Sequence, residues 1–359
     1  MDTGTTEFVC PTCGADVVRT DTKCPKCGNP LEWEGVEAAP AGTPGAPRLL
    51  TDVRPMGIGD IFDRTFRMFG AVFTRSVVIL LLLFIPASVI LMVGAGQFYG
   101  SFGKLLPSAA NGQTPGPEES MALLGSGIVF AISVLLAYIA VVVGEIAVTI
   151  LVTGEFHGTR DGWTEVLARA AGVRMLRGIG VMLMQGLVYA AIVVVPALLF
   201  GLAGGGAGVV VLSILASLVA VVFLFIRWAF SLTAVGSEDL GVVVSMRRSW
   251  LLVRNGWWRV LGILLLLGLL VGFGIMVITT PITLFAFWDF YREYFKAIAS
   301  GGTGAPDPAT MAKAMSSMGP GLGLSMGLNL MLTTLTRPVY ATVLYFDLRA
   351  RSGEFVRGA

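Results

Sequence analysis

Four cysteines, Cys10, Cys13, Cys24 and Cys27, crowd the start of the chain, and the remaining sequence contains none. They form two CxxC pairs separated by ten residues, each followed by a glycine, Gly14 and Gly28. Each pair can offer two thiolates from one tight turn. The glycine after it lets the backbone fold back so that amides face the sulfurs. Four thiolates at this ribbon-like spacing suit one tetrahedral ion, zinc rather than iron. All four positions would be filled by protein, so the zinc is expected to be structural, with no open position for substrate or water. Phe8, Val17, Val18, Leu31 and Trp33 are too few to make a core alone, so residues 1–34 are expected to fold around the metal as a minimal zinc ribbon.

A second set of polar residues lies in otherwise apolar surroundings: Glu145, Gln185, Arg227 and Arg337. All fall at a similar depth within predicted membrane spans, in the half nearer the arginine-rich loops. A charge at that depth costs several kcal/mol unless paired, so Glu145 is expected to pair with Arg227 or Arg337. One arginine then remains in excess. The layer suits either a structural ion pair with snorkelling arginines or a site for an anionic headgroup or small anion. His157, the only histidine, lies in a predicted loop and is assigned no role. No Ser/His/Asp or Cys/His set can be assembled in the bundle, and no phosphate-binding P-loop is present, so no enzymatic activity is expected.

The elements that must carry these residues are membrane helices. Mean hydropathy is +0.80, and charged residues make up only 13% of the chain, about half the share in a soluble domain. A bilayer span needs about 20 apolar residues in helix. Uncharged stretches predict six, near 76–96, 122–151, 179–201, 208–235, 260–287 and 321–346, with glycines between Gly201 and Gly208 splitting the longest stretch into a hairpin. The fold class is therefore an all-α integral membrane protein, a bundle of six transmembrane helices with interfacial amphipathic helices and a small amino-terminal zinc module. No cleavable signal peptide is expected, because the first apolar run lies behind a polar module. Arginine and lysine concentrate before the first span, in the 2–3 and 4–5 loops and in the tail. That bias predicts both termini on the cytoplasmic side of the inner membrane. A reducing compartment agrees with thiolates holding metal rather than disulfides. The net charge of +2 gives no reason to expect nucleic acid.

Residues 35–54, rich in proline, alanine and glycine, predict a flexible tether, and 351–359 a cytoplasmic tail. Residues 57–73 show helical periodicity in Ile58, Ile61, Phe62, Phe66, Phe69, Val72 and Phe73, which predicts a juxtamembrane amphipathic helix. Similar basic, tryptophan-bearing pieces span Trp163 to Arg177 and Ser245 to Arg259. Residues 97–121 and 288–320 are expected to be long outside loops, the second carrying aromatic belt anchors. Pro86, Pro196, Pro281 and Pro338 fall inside spans and are expected to kink them. Gly268/Gly272 and Gly323/Gly327 have GxxxG spacing, but with 46 glycines in the chain that spacing carries little weight alone.

Three segments together resemble the multi-pass membrane domain named from glycerophosphoryl diester phosphodiesterases. They are Arg54-Pro-Met-Gly-Ile-Gly-Asp-Ile-Phe-Asp-Arg-Thr-Phe66; then Arg227-Trp228, Glu238-Asp-Leu-Gly241, Met246-Arg-Arg-Ser-Trp250 and Trp257-Trp258-Arg259; then Pro338 and Leu344-Tyr-Phe-Asp-Leu-Arg349. The resemblance covers residues 54–350. It implies a helical membrane bundle that is often fused to other modules. It does not imply phosphodiesterase chemistry, which belongs to a separate soluble barrel. The expected function is a non-catalytic membrane scaffold or regulator, embedded in the lipid bilayer, whose cytoplasmic zinc ribbon recruits a protein partner. The alternative is a transporter or lipid- or anion-handling protein using the Glu145, Gln185, Arg227 and Arg337 layer.

Overall fold

A computed structural model describes residues 8–9, 16–17, 55–110, 112–114, 116–202, 204, 206–300 and 308–354. The chain divides into two units, Met1–Pro47 and Arg48–Ala359. In the first, β1 (Phe8–Val9) pairs antiparallel with β2 (Asp16–Val17), Phe8 opposite Val17 and Val9 opposite Asp16. This short ladder brackets Cys10 and Cys13 in sequence. The four cysteines themselves, with the rest of the expected ribbon and tether, lie outside the described residues.

The second unit is helical. Its elements are α1 (Ile58–Ala110), α2 (Pro117–His157), α3 (Trp163–Ala171), α4 (Val173–Leu202), α5 (Ala207–Arg227), α6 (Ser231–Glu238), α7 (Val242–Val253), α8 (Trp257–Ala286), α9 (Trp288–Ser300) and α10 (Pro308–Arg351). Five helical stretches among the described residues are long and apolar enough to cross a membrane: Ile58–Leu105, Pro117–His157, Val173–Leu202, Val211–Glu238 and Trp257–Ala286. The hairpin turn falls as expected between α4 and α5, where Gly204 takes a left-handed φ of 70°.

The expected sixth span, 321–346, lies inside α10. That helix has ample length but is less apolar than the five, because Asn329, Thr333, Thr334, Thr336 and Arg337 interrupt it. Its position accounts for the difference. α10 packs most extensively against α1 and also against α2, α8 and α9. Leu335, Val339 and Ala341 to Leu348 are largely buried, so protein rather than lipid sets their polarity. α4, α5 and α8 show the opposite pattern. Their large apolar side chains, among them Leu187, Leu198, Leu212, Val219, Leu269 and Phe273, are exposed, as a lipid-facing surface requires.

Two further expectations are corrected and a third is refined. The helix at 57–73 and the span at 76–96 are one continuous helix of 53 residues, roughly 80 Å long. Its first turns are therefore continuous with the span and do not form a separate helix. The periodic face there (Ile61, Thr65, Val72) is buried in the protein, whereas Ile58, Phe66 and Phe73 are exposed. The expected span at 208–235 stands as Val211–Glu238, with a turn at Trp228–Phe230 dividing it into α5 and α6. The regions 97–121 and 288–320 are mostly helix rather than loop. Gly112 does turn the chain, at φ 67°, but Gly103 and Gly319 serve as close contacts. A Cβ on Gly103 would meet Ala312 O at 2.7 Å, and one on Gly319 would meet Ala95 O at 2.6 Å.

The core is built by α1, α2, α10 and α6. In α2 nearly every residue from Ala137 to Thr153 is buried, and Ile79, Leu80, Phe84 and Leu91 of α1 and Leu344 to Phe346 of α10 are packed in the same cluster. The helices run on through Pro196, Pro281 and Pro338.

Candidate functional site

The start of α1, the ends of α2 and α6, α7, the start of α8 and the end of α10 meet at one end of the bundle. This is the end where the sequence concentrates arginine. Here every carboxylate of α6 and the α10 end is held by guanidinium groups. Asp347 is fully buried. Its Oδ1 accepts from Met56 N at 2.7 Å, and its Oδ2 accepts from Arg259 at 3.1 Å and Arg351 at 3.0 Å. The same two arginines donate to Met56 O, at 2.8 and 2.6 Å. A single backbone unit just before α1 is thus gripped on both faces by α8 and α10.

A second cluster abuts it. Glu238, at the end of α6, accepts from Tyr345 OH at 2.5 Å and pairs with Arg248 at 3.2 Å and Arg349 at 3.3 Å. Glu354 bridges the same two arginines at 2.6 and 2.8 Å. Burial would push the Glu354 carboxyl up, but the hydrogen bonds and charges of Arg248 and Arg349 outweigh it and hold it below its ordinary value. For Arg248 burial works against the charged form, and Glu354, Tyr345 and Glu238 together push its pKa up. Next in the chain, Asp239 sits in the left-handed region at φ 55°. Aspartate tolerates this better than most residues, and here its carboxylate also takes Arg177 at 2.7 Å and Arg174 at 3.0 Å. Arg75 and Glu155 add an α1–α2 pair.

The deeper polar layer is divided. Glu145 on α2 is buried and pairs with Arg337 of α10 at 2.8 Å, one of the two expected partners. Arg227 does not join them. It ends α5 with its guanidinium over the rings of Trp250 (4.8 Å) and Phe223 (5.1 Å). Gln185 donates to Trp228 O at 3.3 Å, on the Arg227 side. The expected layer is therefore one closed ion pair and one separate aromatic-capped arginine.

What this arrangement can do chemically follows from its protonation demands. A carboxylate already accepting from two guanidiniums is a poor base, because taking a proton would break both pairs. The groups are suited to joining helix ends. The pair in the deeper layer can be tested for the same role. Glu145→Gln is expected to destabilise the bundle by about 2–3 kcal/mol by leaving Arg337 opposite an amide. Glu145→Leu combined with Arg337→Met is expected to recover most of that loss, read as thermal unfolding in detergent. A double variant no better than the single one would mean that the charges do more than satisfy each other.

Of the residues in the two clusters at the bundle end, Arg259, Asp347, Arg349, Glu238 and Arg248 all fall in the quoted motif segments, yet nothing in their spacing showed that they meet. The available signal was an acid embedded in an apolar run, Asp347 between Phe346 and Leu348.

The chain belongs to the family described as a domain of unknown function, DUF7847, whose match covers residues 63–347. No curated protein and no solved structure matches the chain.

Proposed function

We propose that this member of the family is a non-catalytic membrane scaffold. Its bundle crosses the cytoplasmic membrane with both termini cytoplasmic, and its amino-terminal module holds structural zinc through Cys10, Cys13, Cys24 and Cys27 and recruits a cytoplasmic protein. α10 is the sixth span in this reading. The observation that carries it is the grip on Met56. The point where the amino-terminal segment enters the bundle is fixed by Asp347, Arg259 and Arg351, while the acids around it are committed to ion pairs. A bundle built this way fixes the start of α1, and among the described residues the acids of these two clusters are engaged by guanidinium groups. The β1–β2 ladder supports the metal module, because a short antiparallel pair around CxxC is the frame a thiolate turn needs. The resemblance to membrane domains fused to diverse modules points the same way.

The test uses the full-length chain. Purified protein is expected to carry one zinc per chain by elemental analysis, and Cys24→Ser/Cys27→Ser to lose it without loss of helical content. Crosslinked capture from native membranes should recover a protein with wild type and lose it with that variant. Zinc-free protein, or a set of co-purified proteins unchanged by the cysteine substitutions, would overturn the recruitment reading.

A further inference from the structure

Among the described residues, most arginines at the basic end of the bundle have an acidic partner. Arg227 does not. Its Nε and Nη1 are buried and donate no hydrogen bond. Its surroundings are aromatic: Phe223 and Trp250 lie against the guanidinium, Trp228 packs on Trp250 at 6.4 Å, and Trp257 stacks on Phe223 at 5.8 Å. The position is held firmly. Ser249 on α7 donates to Arg227 O at 2.8 Å and accepts from Phe230 N at 3.1 Å. A guanidinium with two buried donor nitrogens that meet no protein acceptor is suited to taking an anion, since burial strengthens any hydrogen bond it makes.

The rim indicates the chemistry of the anion it would take. α7 and its C-cap expose Val243, Val244 and Leu251 together with Arg247 and Arg254, two more arginines that have no acidic partner among the described residues. Mixed apolar and cationic exposure on one short helix is the pattern of a helix seated among anionic headgroups. Trp258, beside Trp257, is 78% exposed, as an indole anchored in the interface would be. From this corner the exposed apolar faces of α5 (Leu218, Val219, Val222, Phe225) and α8 (Leu265, Leu269) lead away and can take acyl chains.

We propose that the α5–α7–α8 corner binds the phosphodiester headgroup of an anionic phospholipid, with Arg227 as its hydrogen-bonding cation and Arg247 and Arg254 as its rim. This site is independent of the amino-terminal module and of the recruitment reading.

The full chain would be reconstituted in mixed phosphatidylglycerol and phosphatidylcholine, extracted, and its retained lipids counted by native mass spectrometry. Wild type should be enriched in phosphatidylglycerol over the bulk ratio. Arg227→Gln should lower that enrichment about fivefold, the worth of one arginine at an anionic surface. Arg227→Lys, which keeps the charge and spares the fold, should lose part of it through loss of the planar fork. Arg160→Gln, at an exposed arginine outside the corner, should change nothing. Bulk-ratio lipid on wild type, or enrichment retained in both Arg227 variants, would overturn the proposal. So would millimolar inorganic phosphate that binds at Arg227 with no lipid preference, since the site would then take a soluble anion.

Discussion

Asp347→Asn is expected to be among the most damaging single changes available to this bundle, costing about 2–4 kcal/mol. The substitution changes one atom. The amide oxygen can still accept from Met56 N, but the amide nitrogen now faces Arg259 and Arg351, which had been donating to Oδ2. Donor meets donor twice, in a position where Asp347 has no access to water. Both arginines are partly exposed, 29% and 38% at the side chain, so water recovers some of their solvation and keeps the cost below that of a fully buried orphan charge. The proper comparison is Asp63→Asn. Asp63 pairs with Arg67 at 2.8 Å, but both side chains are more than two-thirds exposed. An exposed i,i+4 pair contributes about 0.3–0.5 kcal/mol. The two variants, heated in detergent and scored for monodisperse protein, should separate clearly. Hydrogen exchange should also quicken in the first turns of α1 in Asp347→Asn, because the Met56 grip is what fixes that helix start. Equal melting of the two variants would show that the buried cluster holds nothing together.

The arginine-rich end and the apolar spans were legible in the sequence because both are properties of composition and local pattern. Depth alone brought Glu145 to Arg227 or Arg337, since opposite charges at one level of an apolar bundle have few alternatives, and the structure pairs it with Arg337. Asp347 was not legible in the same way. Its partners are Met56, Arg259 and Arg351, and only the last is near it in the chain. What brings them together is the folding of six segments to one end, which no local pattern encodes. Arg227 was grouped with Glu145 for the same reason: depth was readable and azimuth was not. The helix breaks show a different limit. Trp228–Phe230 contains neither glycine nor proline, yet α5 ends there, with the backbone held by Ser249 from α7. A tertiary contact, not a local breaker, holds the turn. α10 was read as an ordinary span flanked by a loop because glycine suggests flexibility. Its glycines lie at helix crossings, and its polarity comes from being surrounded by protein.

Those crossings carry the second large effect. Gly319, Gly323 and Gly327 recur every four residues on α10 and face α1. A Cβ on Gly323 would fall 2.5 Å from Met92 N and 2.7 Å from Leu91 C, and one on Gly327 would fall 2.7 Å from Ser88 Cβ. The atoms around Gly323 are backbone, which cannot rotate aside. Even Gly323→Ala must push two long helices apart along the most extensive contact in the bundle, and Gly323→Leu must open it by a side-chain layer. Overpacking of this kind costs about 1–3 kcal/mol for an added methyl group in a tight core, and more for leucine. Gly268 and Gly272 supply the control within the same chain. They have the same GxxxG spacing, but nothing lies within 4 Å of a Cβ at either. Gly268→Leu is therefore expected to leave stability unchanged within about 0.5 kcal/mol, or to raise it slightly through better helix propensity. Identical spacing with opposite outcomes separates close packing from chance, and yield of folded protein together with apparent melting temperature would read it. If Gly323→Leu melted with Gly268→Leu, α1 and α10 would not meet as closely as their glycines require.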